Sequence, residues 1–300
     1  MLARDQVERY SRQLVLPEVG IEGQIRLAAA RVLVVGAGGL GTPALLYLAG
    51  AGVGTLGVVD HDIVELSNLH RQVIHDSAAV GIGKAESAAA RLAALNPHVK
   101  VDVHDVRLDS SNARALVRDY DIVVDGSDNF PTRYLVNDAC VLERKPLVFG
   151  AVSRFDGQVT VLVSDELKPQ AANGPPIGPA SRTPDEGARG DRPPCYRCLF
   201  PTPPAPGTVP NCAEAGVLGV LPAIVGGFMA AETLKLILGL GSPLAGRLLL
   251  VDLLEPATTP IVVERDPDCP VCGEKPSITE LIDYEAFCGV VAQEAGSSVG

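Results

Sequence analysis

Four cysteines form two Cys-x-x-Cys pairs, Cys195 with Cys198 and Cys269 with Cys272. Two such pairs have the spacing of a tetrahedral Zn²⁺ site, to which each pair contributes two thiolates. Both pairs lie among residues that favour loops, whereas a redox pair belongs at a strand-to-helix turn with apolar neighbours. We therefore expect a structural zinc ion that joins two remote segments, rather than a catalytic zinc ion, a redox centre or two disulfides.

The other three cysteines receive different interpretations. Cys140 lies in an apolar helical pattern, which indicates a core residue, and Cys288 has no assignment. Cys212 lies on a long loop just before an apolar helix, and a helix N-terminus lowers the pKa of a thiol. Cys212 is therefore a candidate catalytic thiolate, although a loop thiol without a role explains it equally well.

A glycine-rich segment, GAGGLG at 36–41, follows an apolar strand and precedes a helix. In this context backbone N–H groups at the helix N-terminus bind phosphate. Asp60 ends the next strand about 20 residues further on, where a carboxylate accepts hydrogen bonds from ribose hydroxyls. The pattern predicts an adenine nucleotide, either NAD or ATP, and a packing turn without a ligand is the alternative. The glycines concerned are Gly36, Gly38, Gly39 and Gly41.

The next polar segment favours a nucleoside triphosphate over NAD. It contains Ser67, Asn68 and Arg71, and Lys84 opens the following helix. Arginine binds phosphate oxygens through two parallel N–H groups, and lysine adds a point charge. Asn68 is able to donate a hydrogen bond to a phosphate or to the ribose. A solvated surface pair is the alternative for Arg71 and Lys84.

The segment DGSDN at 125–129 ends another apolar strand, at the edge of the sheet where such folds bind ligands. Mg²⁺ prefers one or two carboxylates together with phosphate oxygens and water. Asp128 is therefore a candidate magnesium ligand. The alternatives are that Asp128 only caps the following helix and that Asp125 has the structural role.

These residues require a framework that brings them together. Alternating apolar strands and helices indicate a doubly wound, mostly parallel α/β sheet with helices on both faces. The N-terminal residues 4–29 read as one or two helices, and the segment after Cys272 as weakly structured. The predicted strands are 31–36, 55–60, 99–104, 121–126, 146–152, an antiparallel 155–163, 247–252 and 260–264; the helices are 41–52, 83–95, 111–118, 130–143 and 217–238; and 165–210 is a long irregular loop.

Composition limits the classes of function. The chain has 300 residues, of which 47% are hydrophobic, enough for one large or two smaller domains. Its formal net charge of −11 argues against nucleic acid or an anionic membrane as the main partner. The sequence has no apolar stretch of about 20 residues and no signal-peptide pattern, so we expect a cytoplasmic protein with reduced thiols.

Taken together, these motifs resemble the adenylyltransferases of the ubiquitin-activating superfamily. RYSRQLVLPEVGIEGQ at 9–24 and NCAEAGVLGVLPAIVG at 211–226 are similar to the branch that activates the sulfur-carrier proteins of molybdopterin synthase and of thiamine synthesis. The resemblance implies a single ThiF-like, Rossmann-like domain over 1–275, with about eight strands and a zinc-clamped C-terminal region. Residues 276–300 would form a tail or linker.

The resemblance also implies a reaction. The C-terminal Gly-Gly carboxylate of a ubiquitin-like sulfur carrier attacks ATP, releases pyrophosphate and is prepared for thiocarboxylate formation, in molybdopterin, thiamine or tRNA-thiolation pathways. A homodimer is implied, in which Arg12 reaches into the partner subunit's site, and Asp60 lies at the ribose. The residues implied to hold the triphosphate or its Mg²⁺ are Gly39, Asn68, Arg71, Lys84, Asp128 and Asn129.

The implied sulfur donor is a cysteine desulfurase or a rhodanese, and the segment 278–289 resembles the linker that precedes a rhodanese domain in some relatives. Two other functions remain open at this stage. An NAD-dependent oxidoreductase would use the same glycine loop, but the sequence offers no separate substrate domain. A non-catalytic scaffold that binds the carrier would not need to retain Arg71, Lys84 and Asp128.

Overall fold

Eight strands form one mixed sheet within the residues that the structure, a computed structural model, describes: 2–162, 193–205, 208 and 215–289. The spatial order is β3-β2-β1-β4-β5-β6-β7-β8. Strands β3, β2, β1, β4 and β5 pair with their neighbours in parallel. Strands β5, β6, β7 and β8 pair with their neighbours antiparallel. The strands are β1 (Arg31–Val35), β2 (Thr55–Val59), β3 (Lys100–His104), β4 (Ile122–Asp125), β5 (Leu147–Ser153), β6 (Asp156–Leu162), β7 (Arg247–Asp252) and β8 (Ala257–Val262).

Helices pack on both faces of this sheet, and two 3₁₀ turns, Leu66–Asn68 and Ser77–Ala79, lie between β2 and the next helix. The described helices are α1 (Arg4–Arg9), α2 (Ser11–Leu14), α3 (Gly20–Ala29), α4 (Gly41–Ala51), α5 (Lys84–Leu95), α6 (Ala113–Arg118), α7 (Phe130–Glu143), α8 (Tyr196–Leu199), α9 (Leu221–Leu238) and α10 (Tyr284–Phe287).

The predicted α/β fold class is confirmed. All five residues of β2 and all four of β4 are buried, as the continuous apolar runs require when helices cover both faces of a parallel sheet. The antiparallel extension predicted at 155–163 is also confirmed, because β6 pairs antiparallel with β5. The N-terminal segment forms three short helices rather than one or two.

Two predicted boundaries near the C-terminus were wrong. Helix α9 begins at Leu221 rather than at 217, because Gly216 has a φ of 75° and Pro222 lies in the first helical turn. Strand β8 covers 257–262 rather than 260–264, since it is set by its antiparallel register with β7. An apolar pattern alone does not reveal that register.

The long loop predicted over 165–210 lies mostly outside the described residues. Within 193–205, Cys195 is the N-cap of the helical turn α8 and Cys198 lies inside it, so the first cysteine pair belongs to a helical turn rather than to irregular loop. The segment after Cys272 is better ordered than its sequence suggests. It contains α10, in which Tyr284 is buried and packs against α7.

Helix α9 is mostly apolar and lies in the core. It has 18 residues and a mean hydropathy of 1.6, and it is the one helix among the described residues that is long and apolar enough to cross a membrane. It is 61% buried and packs against α4, β5 and β6. At Gly226 a Cβ atom would lie 2.4 Å from Pro43 of α4, so the two helices approach closely. These contacts identify α9 as a core helix.

The glycine loop turns tightly between β1 and α4. Gly36 has a φ of 89°, which side chains other than glycine rarely adopt. A Cβ atom on Gly41 would lie 1.8 Å from the carbonyl oxygen of Gly36. The turn therefore requires glycine at both ends, before any ligand is considered.

This close approach predicts different outcomes for two glycines of α4. Gly41→Ala should lower the free energy of unfolding by about 3 kcal/mol or more, because the clash lies between backbone segments that cannot move apart freely. The control, Gly50→Ala, meets nothing within 4 Å and should raise the free energy of unfolding by up to about 1 kcal/mol. Urea denaturation of both variants measures the difference, and equal stability would contradict the tight turn.

Candidate functional site

A cavity of about 1010 Å³ opens where the parallel strands β1, β2 and β4 end. Small-molecule sites commonly have volumes of roughly 300–1,000 Å³, and doubly wound folds bind ligands at this edge of the sheet. The structure therefore gathers residues from several separate segments into one cavity. The predicted site residues that line it are Gly36, Gly38, Gly39, Asp60, Arg71, Lys84, Asp128 and Asn129.

Ser67 and Asn68 are not among the residues that line this cavity. Their side chains belong to the 3₁₀ turn instead. The Asn68 side-chain oxygen accepts a hydrogen bond of 3.3 Å from the backbone N–H of Glu65, and the Ser67 hydroxyl donates to the Glu65 carboxylate at 3.2 Å. Short polar side chains readily bond to nearby backbone in this way. In this geometry they support the loop that carries Arg71.

Two further predicted residues, Arg12 and Gly41, do not line the cavity either. Arg12 is exposed on α2 and does not line it. Gly41 is buried under the glycine loop, where it permits the tight turn. Cys212 lies outside the described residues.

Asp60 fastens the end of β2 to the glycine loop. Its carboxylate accepts a hydrogen bond of 2.7 Å from the N–H of Ala37 and one of 2.9 Å from the N–H of Asp62. Burial raises the pKa of Asp60, while the two N–H groups and Lys84 act to lower it. Each carboxylate oxygen can accept a second hydrogen bond, so Asp60 is able to bind hydroxyl groups of a ligand in the cavity.

Two cations lie beside the glycine loop. The Lys84 ammonium is 2.8 Å from the Asp62 carboxylate, and its side chain is largely buried. Partial burial acts to raise the pKa of Asp62, but the hydrogen bond and charge of Lys84 outweigh this and the pKa is lowered. Arg71 donates to the carbonyl of Ser67 at 3.1 Å, and its side chain passes close to Gly39. Both cations thus line the same cavity as the glycine loop.

The loop after β4 separates two aspartates with different environments. Asp125 is 1% exposed and accepts a hydrogen bond of 2.9 Å from the N–H of Ser127, and complete burial raises its pKa. Asp128 is exposed and lines the cavity. The helix cap is Asn129, whose side chain accepts from the N–H of Thr132 at 2.9 Å. Asp125 therefore supports the loop, and Asp128 remains available to a ligand.

The sequence reasoning missed Arg133, on the first turn of α7. Its guanidinium lies over the rings of Phe130 and Phe149, at 5.4 and 5.6 Å from their centroids, and donates to the carbonyl of Ser127 at 3.3 Å. Its Nε is buried without a hydrogen-bond partner. The spacing offered a signal, because residues four apart on a helix share a face and Asn129 precedes Arg133 by four.

Gln72 and His75 were also missed. Gln72 lines the cavity beside Gly38, and its buried side-chain oxygen has no hydrogen-bond partner. His75 Nε2 lies 3.0 Å from the carbonyl of Ala37, and Nδ1 lies 2.9 Å from the Ser87 hydroxyl. Because a carbonyl only accepts, Nε2 carries the hydrogen. His75 thereby holds the backbone of the glycine loop at Ala37.

The four predicted cysteine ligands meet in one cluster. Their sulfur atoms all lie within 4.8 Å of one another. The Sγ–Sγ distances are 3.9 Å for Cys195–Cys198, 3.6 Å for Cys195–Cys269 and 3.4 Å for Cys198–Cys272. A tetrahedral ion with Zn–S bonds of about 2.3 Å requires sulfurs about 3.8 Å apart, whereas a disulfide needs about 2.05 Å. The cluster suits a tetrahedral metal ion and not a pair of disulfides.

The remaining described cysteines lie in apolar surroundings. Cys140 is 2% exposed, as predicted for a core residue, and burial raises its pKa well above the ordinary value. Cys288, which had no assignment, is buried in the same apolar cluster as Tyr134, and burial raises its pKa to about 11. Neither thiol has the low pKa of a nucleophile.

Comparison with known proteins agrees with this geometry. The sequence profile of the ThiF family matches residues 10–271. A sulfur carrier protein adenylyltransferase of Thermus thermophilus is 57% identical, over 96% of this chain and 98% of its own length. A probable adenylyltransferase/sulfurtransferase, MoeZ, of Mycobacterium tuberculosis is 50% identical over 99% of this chain, and mouse MOCS3, an adenylyltransferase and sulfurtransferase, is 51% identical over 98%. The chain spans 69% of MoeZ and 58% of MOCS3.

Solved structures share the fold. The crystal structure of Escherichia coli MccB with ATP has a TM-score of 0.67 and 23% identity, over 88% of this chain and 73% of that one. The structure of MccB with MccA-N7isoASN has a TM-score of 0.70 and 22% identity, over 89% of this chain and 75% of that one. At this level of identity the likeness establishes the architecture of the sheet and its helices.

The buried position of His75 predicts a pH dependence of stability. Burial lowers the pKa of His75, although its hydrogen bond to Ala37 opposes this. Below about pH 6.5 a histidine of the unfolded chain is protonated, whereas His75 of the folded protein stays neutral to a lower pH. The free energy of unfolding should therefore fall as the pH drops from about 7.5 to about 5.5. In His75→Gln this fall should be smaller than in the exposed control His61→Gln. Urea denaturation across this range tests it, and equal slopes would contradict a buried neutral His75.

Proposed function

The chain belongs to the ThiF family, and from that premise we propose that it transfers the adenylyl group of ATP to the C-terminal carboxylate of a small ubiquitin-like sulfur-carrier protein. The observation that carries the proposal is the cavity at the sheet edge. It combines the glycine loop, a carboxylate suited to ribose, two cations and an available aspartate. The names of the relatives support the same reaction class.

The cavity suits a nucleoside triphosphate. Phosphate groups bind where backbone N–H groups converge at the N-terminus of α4 and where the helix dipole favours negative charge. The Asp60 carboxylate accepts hydrogen bonds from the ribose hydroxyls, while Arg71 and Lys84 neutralise the phosphate oxygens. A dehydrogenase would need only the N–H groups of the glycine loop and the Asp60 carboxylate. The two cations, Arg71 and Lys84, therefore favour ATP over NAD as the ligand.

The proposed reaction needs no general base. A carboxylate oxygen of the carrier attacks the α-phosphorus of ATP, the bond from that phosphorus to the bridging oxygen breaks, and pyrophosphate leaves with the electron pair. No proton is transferred in this step. The protein therefore contributes alignment of the two anions and neutralisation of the charge that accumulates on pyrophosphate. Arg71 and Lys84 perform this neutralisation.

Two metal ions belong to the proposal. Asp128 offers an exposed carboxylate beside the phosphate-binding loop, which fits Mg²⁺ bound mainly through phosphate oxygens and water. When bound, Mg²⁺ supplies positive charge to the phosphates. Zn²⁺ fits the cluster of Cys195, Cys198, Cys269 and Cys272, where four thiolates leave no position for substrate, so its role is structural.

Further elements of the proposal concern partners. A carrier ending in Gly-Gly suits a catalytic cavity, because glycine lets an extended tail approach the phosphates closely. We also infer a cytoplasmic homodimer in which Arg12 reaches the partner subunit's cavity, and a separate sulfur donor, a desulfurase or rhodanese, that completes thiocarboxylate formation. Residues 1–275 would form the adenylyltransferase domain, and Cys212 would be a candidate for a covalent carrier adduct.

Carrier-dependent exchange of labelled pyrophosphate into ATP tests the proposal. Purified protein is assayed with a panel of ubiquitin-like carriers from molybdopterin, thiamine and tRNA-thiolation pathways. Exchange with one carrier, abolished when its terminal Gly-Gly is removed, is the expected result. Binding of carrier and ATP without exchange would instead indicate a scaffold. Binding of NAD with no binding of ATP would indicate an oxidoreductase.

Arg71, which neutralises phosphate charge, and Asp128, which would hold Mg²⁺, should both be essential for this exchange. Arg71→Ala and Asp128→Ala are each expected to lower the exchange rate by about 100-fold or more, as the loss of a charged group from a transition-state site commonly does. The matched control is Arg91→Ala, an exposed arginine on α5. Exchange rates at saturating ATP measure the effect, and wild-type rates in either cavity variant would remove that residue from the mechanism.

The cysteine cluster should bind one zinc ion per chain. Cys195→Ser is expected to lose most of the zinc and several kcal/mol of unfolding free energy, because metal binding contributes directly to folding. Cys140→Ala provides the control, since it removes a buried thiol that is not one of the four clustered cysteines and should retain full zinc. Metal analysis and thermal denaturation measure both effects. Full zinc and stability in Cys195→Ser would contradict the structural clamp.

A further inference from the structure

The C-terminal segment returns to the nucleotide cavity. Residues 281–285 line the same cavity as the glycine loop, although about 240 positions separate them in the chain. On the cavity wall they accompany residues 106–111, which follow β3. The reaction proposed above assigns no role to either segment.

The strand order indicates which part of a nucleotide this wall would contact. The phosphate-binding loop follows β1, and Asp60 follows the neighbouring strand β2. A nucleotide laid from phosphate to ribose therefore runs from β1 towards β2, and its base extends towards β3. Leu281 and Ile282, with Val106 and Leu108, offer apolar side chains at that end of the cavity. Apolar side chains suit the faces of a heteroaromatic ring.

The two segments are joined to each other. The Ser110 hydroxyl donates a hydrogen bond of 2.5 Å to the carbonyl oxygen of Ile282. The Arg107 guanidinium forms an ion pair with the Glu285 carboxylate. These bonds connect the loop after β3 to the C-terminal segment, so that the two make one continuous wall.

The C-terminal segment is also anchored to the core. The Tyr284 hydroxyl donates to a side-chain oxygen of Asp138 on α7 at 2.8 Å. Asp138 is fully buried and accepts two hydrogen bonds of 2.8 and 2.9 Å from Arg197. The Arg197 guanidinium lies 4.6 Å from the ring centroid of Phe287. The buried ion pair of Asp138 and Arg197 therefore sets the position of the C-terminal segment.

Arg197 itself lies between two residues of the metal-binding cluster, Cys195 and Cys198. A metal ion that closes this turn also fixes the backbone that carries Arg197. The cluster, the ion pair, α10 and the cavity wall thus form one connected path.

We propose that residues 281–285 form the outer wall of the subsite for the nucleotide base, and that Tyr284 is the positioning residue that holds this wall through Asp138. The inference rests on the proposed use of ATP. It adds to the nucleotide site a segment that lies beyond the cysteine cluster in sequence. The wall would contact the base of the nucleotide and not its phosphates.

Binding of two ligands to full-length variants tests this inference. The ligands are a non-hydrolysable ATP analogue and inorganic triphosphate, which has no base. Tyr284→Phe removes only the hydroxyl, and Glu285→Gln weakens the ion pair without emptying the core. The control is Tyr47→Phe, at a tyrosine that is 65% exposed. Calorimetric titration, with competition for the weaker ligand, gives the dissociation constants.

In Tyr284→Phe the dissociation constant of the ATP analogue should rise by about tenfold, because the wall loses its hydrogen bond to the buried Asp138 carboxylate. Glu285→Gln should raise it less. Inorganic triphosphate should bind all proteins equally, so the preference for ATP over triphosphate falls. Tyr47→Phe should match the wild type with both ligands.

Three results would contradict the proposed base subsite. The first is unchanged affinity for the ATP analogue in both Tyr284→Phe and Glu285→Gln, and the second is an equal loss of affinity for the analogue and for triphosphate. The third is a wild-type protein that does not prefer the analogue to triphosphate. The last result would also remove the nucleotide step of the proposed function. In contrast, normal ATP preference without carrier-dependent exchange would contradict the proposed transfer reaction and leave the wall intact.

Discussion

A buried ion pair, Arg197 with Asp138, joins α8 to α7, and Tyr284 of α10 bonds to the same carboxylate. The two side chains are 1% and 0% exposed, and removing two charges from water costs several kcal/mol for each ion. The surroundings offset that cost, because the Asn137 amide and the Tyr284 hydroxyl donate to the same carboxylate. Loss of either charge would leave the other buried and unpaired. One arrangement of α7, α8 and α10 is therefore strongly preferred.

Helix α7 connects this ion pair with the cavity at the edge of the sheet. It begins at the cap residue Asn129, beside Asp128, and carries Asp138 two turns further on. A helix of this length is stiff, so the loop that presents Asp128 is positioned relative to the ion pair. Lys84 is likewise held in place by Asp62 before any ligand arrives. A site whose charges are already oriented does not have to reorganise during the reaction.

Features that depend on short stretches of sequence could be predicted. The bounds of α7, the glycine loop and the cysteine pairs follow from local patterns and spacing. The orientation of Asn68 could not be predicted, since donation to a ligand and bonding to its own turn require the same residue. The cavity wall could not be predicted either, because its hydrogen bonds join residues that are far apart in the sequence. Ser110 and Ile282, for example, are 172 positions apart. Arg197 lies in a segment whose residues favour loops, and only the fold reveals that its side chain is buried.

The place of α9 in the chain has a consequence for biosynthesis. The five parallel strands are complete at residue 153, but the helix that covers β5 and β6 ends at residue 238. At about 5–20 residues per second, a ribosome needs roughly 4–17 s to add the intervening segment. During that interval the part of the sheet that α9 covers in the folded protein lacks its native partner. The order of elements therefore sets how long this apolar surface stays uncovered during synthesis.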